Sequence, residues 1–279
     1  MKPALYCQQI VTAKEPGFGF AIKTLSVPTQ NAVTALMAFY IEMDEVIFSC
    51  QEPVVALAKL NWWRLEVTKW LQGQAVDHPV IVALREAREL APFAAERLLP
   101  LIDGMAQNVN LVPFSTFEEV TLHVLHTAGI RELLMAEVVR GDETVPTEVV
   151  YQLALVLELA RFVQHLHRYV RRGVAVFGDD ELRRFQVSQA MLQRCRTTLE
   201  IKNLLAYQVE KAERAFLQAT AGMTALQRRS LANLLVRASM ALALLREIEK
   251  SDFKVLEQLI SLTPIRCWWI AFRSRAEEG

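Results

Sequence analysis

A chain of 279 residues, just over half of them apolar and about a fifth charged, is long enough for one large core or two small ones and has an ordinary globular make-up. Thirty-one basic side chains balance thirty-one acidic ones, which argues against a general polyanion binder and against nucleic acid as a partner, while leaving room for a local basic patch. Four scattered cysteines, Cys7, Cys50, Cys195 and Cys267, form neither a zinc knuckle nor a redox pair, so free thiols in a reducing cytoplasm are expected.

Apolar residues recur at spacings of three and four without sustained alternation, which predicts an all-α fold. Helices are expected over residues 4–14, 29–49, 52–73, 78–90, 93–107, 115–140, 147–172, 179–183, 188–221, 224–249 and 252–275. Pro53 falls in a first turn, Asp77 and Ser115 can accept from unpaired first-turn amides, and Thr147 precedes an acidic first turn. Gly73, Gly141 and Gly173 near helix ends suit C-terminal caps. No linker or low-complexity stretch divides the chain, so residues 1–279 are read as one domain. The N-terminal MKPALYCQQIVTAKEP lacks the apolar run of a signal peptide. The windows VVYQLALVLELARFV and LANLLVRASMALALL are interrupted by Gln, Glu and Arg, short of the ~20 apolar residues that span a bilayer. A cytoplasmic protein is expected, with at most peripheral membrane contact.

Two of these helices bring ionisable groups into apolar surroundings. In helix 147–172, Leu155, Leu159, Phe162, Leu166 and Val170 form a buried stripe, widened by Leu153, Val156, Leu157, Ala160 and Val163. Arg161, His165 and Tyr169 are spaced by four on the same helix and must face something other than bulk water. In helix 29–49, Asp44 and Glu45 sit among Leu36, Met37, Phe39, Ile41, Val46, Ile47 and Phe48. Buried charges need partners or a wet cavity, and the two helices carry opposite signs.

TALMAFYIEMDEVIFSC, followed by VVALAKLNWWRLEV, resembles the segment around the first aspartate-rich motif of squalene and phytoene synthases. The likeness continues through LIDGMAQNV, LHVLHTAG, LELARFVQHLHRYVRRGVAVFGDDELRRFQVS and LLREIEKSDFKVLEQLISLTPIRCWW, nearest to the bacterial phytoene and presqualene diphosphate synthase branch. It implies a single-domain isoprenoid-synthase bundle around a central cavity. It also implies head-to-head joining of prenyl diphosphates, with magnesium held between two carboxylate clusters. Residues four apart share a helix face, so a DxxxD pair reaches the same metals.

Position by position, the chain departs from that pattern. Asp44 and Glu45 stand at the start of the first motif, but Phe48 occupies its closing aspartate. Arg161, His165 and Tyr169 align with the asparagine and two aspartates of the second. Gln30 and Asn31 replace an arginine pair, and Asn108 replaces an aspartate. His123, Ile130, Arg131 and Glu132 replace a tyrosine and small residues, while Val174 and Val176 replace the arginine and tyrosine of the family's usual RGRIYLP turn. Framework positions match: Trp62, Trp63, Arg64, Glu66, Gly129, Gly173, Asp180, Glu181, Leu182 and Phe185.

The resemblance with these departures implies a catalytically inactive member, with no cofactor expected, kept for lipid binding, heteromer formation or complex assembly. Its ligand would be a long apolar lipid. Its partner would be an active prenyl synthase, or a respiratory complex under assembly, as for the mitochondrial complex I assembly factor with a phytoene-synthase-like domain. Asp44 or Glu45 is expected to pair with Arg161 across the cavity. The alternative is an active prenyl diphosphate transferase in isoprenoid, hopanoid or carotenoid biosynthesis. It would hold magnesium on Asp44 and Glu45, or grip diphosphate with Arg161, His165, Arg168, Arg171 and Arg172. Those last arginines otherwise read as a solvated helical turn. His123, His126 and His165 invite a transition-metal site, although core or surface histidines explain them as well. Trp62 and Trp63 are expected between helices, and RCWWIAFRSR is expected to dock on the bundle, with a membrane interface as the alternative.

Overall fold

The computed structural model describes residues 2–110, 112–140 and 146–276; Gly141 lies outside them. The architecture is all-helical, with 78% of residues in helix. Helices α1 (Pro3–Lys14) and α2 (Phe18–Ile22) lead into α3 (Val27–Ser49), α4 (Pro53–Leu71), α5 (Pro79–Leu90) and α6 (Leu98–Gln107). The middle of the chain forms α7 (Phe117–Val124), α8 (Ile130–Arg140), α9 (Thr147–Gln164) and α10 (Leu166–Arg172). The remainder forms α11 (Asp179–Arg184), α12 (Gln189–Gln193), α13 (Leu199–Ala221), α14 (Ala225–Ser230), α15 (Ala232–Lys250) and α16 (Pro264–Ala276).

Helices α3 and α9 occupy the middle, as their all-round apolar character requires. α3 packs on α1, α5 and α8, and buries Phe39, Met43 and Ile47. α9 packs on α13 and α15, and buries Leu153, Val156 and Leu159. Several helices begin with proline inside the first turn: Pro3, Pro53, Pro79 and Pro264. The caps differ from expectation by one residue. His78 Nδ1, not Asp77, accepts from Val80 N at 3.3 Å, and the Thr116 hydroxyl, not Ser115, accepts from Glu119 N at 3.3 Å. Ser115 N instead donates to the Glu119 carboxylate at 2.7 Å.

Five expected long helices are interrupted. The 115–140 segment carries a π turn at Leu125–Gly129, where α6 packs so closely that a Cβ on Gly104 would lie 2.6 Å from the His126 carbonyl oxygen. The 147–172 segment bends by 73° at His165. The 188–221 segment breaks where Cys195 adopts φ 51°, and the 224–249 segment breaks at Leu231. Beyond Lys250, positive φ at Asp252 and Phe253 ends α15, and α16 starts only at Pro264. The 93–107 segment opens as a 3-10 turn over Ala95–Arg97, and α2 is too short to show a period at all. A one-residue kink leaves spacings of three and four almost intact, so periodicity carries straight through it.

No single described helix is long and apolar enough to cross a membrane. The bent α9–α10 pair passes by length and composition only, and α9 is mostly buried among α8, α13 and α15.

Candidate functional site

The interior between α3 and α9 is bridged by long side chains. Arg161 Nη1 donates to Asp44 Oδ1 at 2.8 Å, its Nε to Glu158 Oε1 at 2.9 Å, and its Nη2 to the Tyr40 hydroxyl at 3.1 Å. The second Asp44 oxygen accepts from Arg168 Nη1 at 3.2 Å. Glu45 does not reach Arg161. It accepts from Arg168 Nη2 at 2.8 Å and from Lys14 Nζ at 2.9 Å, because it lies on the outer side of α3, where its side chain is 35% exposed.

The bend at His165 breaks the straight stripe of Arg161, His165 and Tyr169: His165 and Tyr169 face different cavities, while the Arg161 guanidinium still lies 5.5 Å from the Tyr169 ring centroid. The bend turns α10 towards the C-terminal half of α3. Arg172 Nε then donates to the Ile47 carbonyl at 2.9 Å and its Nη2 to the Cys50 carbonyl at 3.0 Å, a basic cap on a helix C-terminus. Arg168 and Arg172 are therefore structural ties, not members of a solvated turn. Tyr169 is buried, with its ring edge-to-face on Phe48 at 5.1 Å and on Phe162 at 5.4 Å between centroids. The Arg168 guanidinium lies 3.9 Å from the Phe48 ring centroid, within cation–π range.

A second cluster adjoins the first. Glu132 accepts from Arg131 Nε at 2.8 Å and from Arg237 Nη2 at 2.9 Å, and the Arg131 guanidinium sits 4.1 Å over the Tyr40 ring. Burial would raise the carboxyls of Glu132 and Glu158. Arg237 and Arg131 around Glu132, and Arg161 beside Glu158, outweigh it and hold both below the ordinary carboxylate range. Burial, reinforced by Arg161 and Arg168, pulls the His165 pKa down to about 4. Burial alone dominates at His123, also brought to about 4. Both rings are neutral at pH 7.

Sequence reasoning noticed Arg131 and Glu132 only as departures, and missed Tyr40, Glu158 and Arg237. The signal was present: Glu158 stands within VLELA and Arg237 within LLVRASM, each charged among apolar neighbours.

These charges line the larger cavity, about 340 Å³, between α1–α2, α3, α9, α15 and the Leu259–Leu262 segment before α16. Buried Arg131, Glu158 and Arg237 belong to its wall together with Phe18, Met37, Ala160, Met240 and Ala241. Exposed Lys14, Glu15, Leu259 and Ser261 frame it on the outside. A second cavity of about 260 Å³ is bordered by Asn108 and Val174. Between the two lies a gap of about 10 Å³ bordered by Tyr40, His123, Glu158 and Tyr169, the scale of one water.

The donor set does not fit a magnesium cluster. Magnesium takes oxygen ligands in near-octahedral geometry. Both Asp44 oxygens are engaged by arginines, Phe48 supplies none, and the motif positions on α9–α10 offer a guanidinium, a neutral imidazole and a tyrosine, while Glu158, one turn earlier on α9, is bonded to Arg161 through Oε1. Among the described residues, no group of three or more His, Cys, Asp or Glu is placed to hold a metal. His123 borders the small gap beside Phe114, whereas His165 lines the larger cavity.

Elsewhere the framework positions make defined contacts. Trp63 is buried, but Trp62 is 43% exposed and packs on Trp63 and His78. Arg64 pairs with Asp103, and Glu66 with Lys69 at 2.7 Å. Gln30 stays local, donating to the Leu25 carbonyl at 2.8 Å. Gly178 has no room for a Cβ, which would lie 2.6 Å from the Thr116 carbonyl carbon. Glu181 after it is buried against Lys211 and Gln208. Helix α16 buries Cys267 and Ala271 and turns Ile265, Trp268, Trp269 and Phe272 outward.

A family model described as squalene/phytoene synthase matches residues 11–266. The chain belongs to the squalene/phytoene synthase family. It is 21% identical over 265 residues to the phytoene synthase of Arthrospira platensis, covering 90% of this chain and 85% of that protein. It is 24% identical over 253 residues to the chloroplastic phytoene synthase 3 of Zea mays, covering 88% of this chain but 59% of that longer protein. Among solved structures, a dehydrosqualene synthase in complex with ligand superposes with a TM-score of 0.83 at 16% identity, covering 99% of this chain and 96% of that one. The squalene synthase HpnC of Alicyclobacillus acidocaldarius gives a TM-score of 0.72 at 16% identity, covering 90% and 94%. The structural matches show the isoprenoid-synthase fold.

Proposed function

We propose that this family member binds an isoprenoid lipid without condensing prenyl diphosphates. The observation that carries the reading is Arg161, a permanent cation at a second-motif position, engaged by Asp44 of the first. Its guanidinium occupies the Asp44 oxygen that a divalent cation would need. Without that cation, departure of a diphosphate loses its main electrostatic help, a contribution of many powers of ten. Of the other arginines offered for a direct grip on diphosphate, Arg168 is committed to Asp44 and Glu45 and Arg172 to α3 carbonyls, while Arg171 is exposed.

On this reading the chain acts through what it holds or joins: an apolar lipid in the cavity, an active prenyl synthase in a heteromer, or a respiratory complex under assembly. Helix α16 supports a peripheral membrane position, since its outward Trp268, Trp269 and Phe272 lie on a segment, PIRCWWIAFRSRA, with three arginines and no acid. The test is incubation of the purified protein with farnesyl or geranylgeranyl diphosphate and magnesium, reading pyrophosphate release. Release at the protein-free background is expected; repeated turnover would overturn the proposal.

A further inference from the structure

The charges around the larger cavity cancel. Lys14, Arg131, Arg161 and Arg237 line it, with Arg168 behind Arg161; Glu15 and Glu158 line it, with Asp44, Glu45 and Glu132 directly bonded behind. Five cations meet four carboxylates in the bonded set; Glu15, exposed at the mouth and with its carboxyl pushed by desolvation above the ordinary value, is the fifth that completes the balance, and His165 is neutral. Glu132 sits between Arg131 and Arg237, Arg161 between Asp44 and Glu158, and Glu45 between Arg168 and Lys14. No surplus positive charge is left for a polyanion, and no free carboxylate pair is left to recruit a metal that would neutralise one. Moving a multiply charged diphosphate into this wall is therefore unfavourable, whereas a hydroxyl needs only hydrogen bonds.

The rest of the wall is apolar: Phe18, Met37, Leu157, Ala160, Met240 and Leu244. Its volume, about 340 Å³, is near the lower end of the ~300–1,000 Å³ typical of small-molecule pockets, and suits one chain, not two. We infer that this cavity takes a single uncharged isoprenoid alcohol and selects against the corresponding diphosphate. The inference rests on the non-catalytic, lipid-binding reading above and names the ligand class for it.

Equilibrium dialysis of the full chain against radiolabelled farnesol and farnesyl diphosphate, each with and without magnesium, tests it. One farnesol per chain is expected, bound at least tenfold more tightly than the diphosphate, with magnesium changing neither. Diphosphate binding as tight as farnesol binding, strengthening by magnesium, or no farnesol binding at all would each overturn it. Two variants tie the result to this cavity. Leu244→Trp, at a partly exposed wall position, should reduce farnesol binding at least tenfold. Glu15→Gln, at an exposed position, removes one of the five carboxylates and should lower the farnesol-to-diphosphate preference at least threefold; an unchanged preference would remove charge balance as its cause. Pyrophosphate release would refute the non-catalytic reading, whereas diphosphate preference without release refutes only the ligand class.

Discussion

The Arg161 cluster holds one cation between two carboxylates, Asp44 and Glu158, while the Glu132 cluster holds one carboxylate between two cations, Arg131 and Arg237. Tyr40 stands between them. Its hydroxyl accepts from Arg161 and donates to Glu158 at 3.4 Å, and its ring lies under Arg131. Neither cluster is neutral alone, but together they are. They also differ in depth: Glu132 is 1% exposed, whereas the Arg161 cluster continues outward through Arg168 and Glu45 to the exposed Lys14. One arrangement is sealed; the other can adjust at its outer end.

That difference ranks the consequences of breaking them. Glu132→Leu leaves Arg131 and Arg237 buried together without a counter-ion, and guanidinium groups do not escape by losing a proton. A loss of about 3–5 kcal/mol is expected in denaturant unfolding; a loss under 1 kcal/mol would mean the two arginines find other partners.

Arg161→Met should cost less, about 2–3 kcal/mol at pH 7, because Asp44 keeps Arg168 and Glu158 can take up a proton. The pH dependence fixes the mechanism. In the parent, Glu158 is held below its unfolded pKa, so its contribution is present above about 4.3 and fades as pH falls below that. In the variant, its pKa lies above the unfolded value, so the protonated form is favoured in acid and the penalty grows as pH rises. The stability gap between variant and parent should therefore narrow from pH 7 to pH 4. A constant gap would count against Glu158 as the affected group.

His123→Phe sharpens the same comparison from the neutral side, with the smallest effect. The His123 pKa of about 4 lies below the unfolded value near 6.5. Its share of stability is complete above about pH 6.5 and lost as pH falls towards 4. The variant should change stability by no more than about 1 kcal/mol at pH 7, yet show a shallower decline between pH 6.5 and 4. An unchanged slope would place that proton uptake elsewhere.

Helix existence and fold class were legible because burying one face imposes a period, and the family pattern was legible because WWRLEV and the DDEL turn are packing motifs. The breaks at His165 and Leu231 were not, since each keeps apolar spacing nearly intact while changing direction; the gap of residues 194–198 around Cys195 was passed over because helical spacing resumes on both sides of it. The Asp44–Arg161 contact could be anticipated from opposite signs on two apolar helices. Pairing of Glu45 with Arg168 could not, because it depends on the 73° bend. Glu158 and Arg237 show that a lone charge in an apolar helix names a buried group, but the partner of Arg237, Glu132, lies more than 100 residues away and is fixed only by packing.

Phe48 and Tyr169, touching edge to face at the closing positions of the two motifs, act as a ratchet on sequence change. Replacing either ring alone by a carboxylate would set a charge against an aromatic face and leave a void beside it. Replacing Arg161 alone by a carboxylate would crowd it against Asp44 and Glu158 and undo the neutrality of the whole interior. Each single step towards a metal site is uphill, so building one here requires several substitutions arriving together.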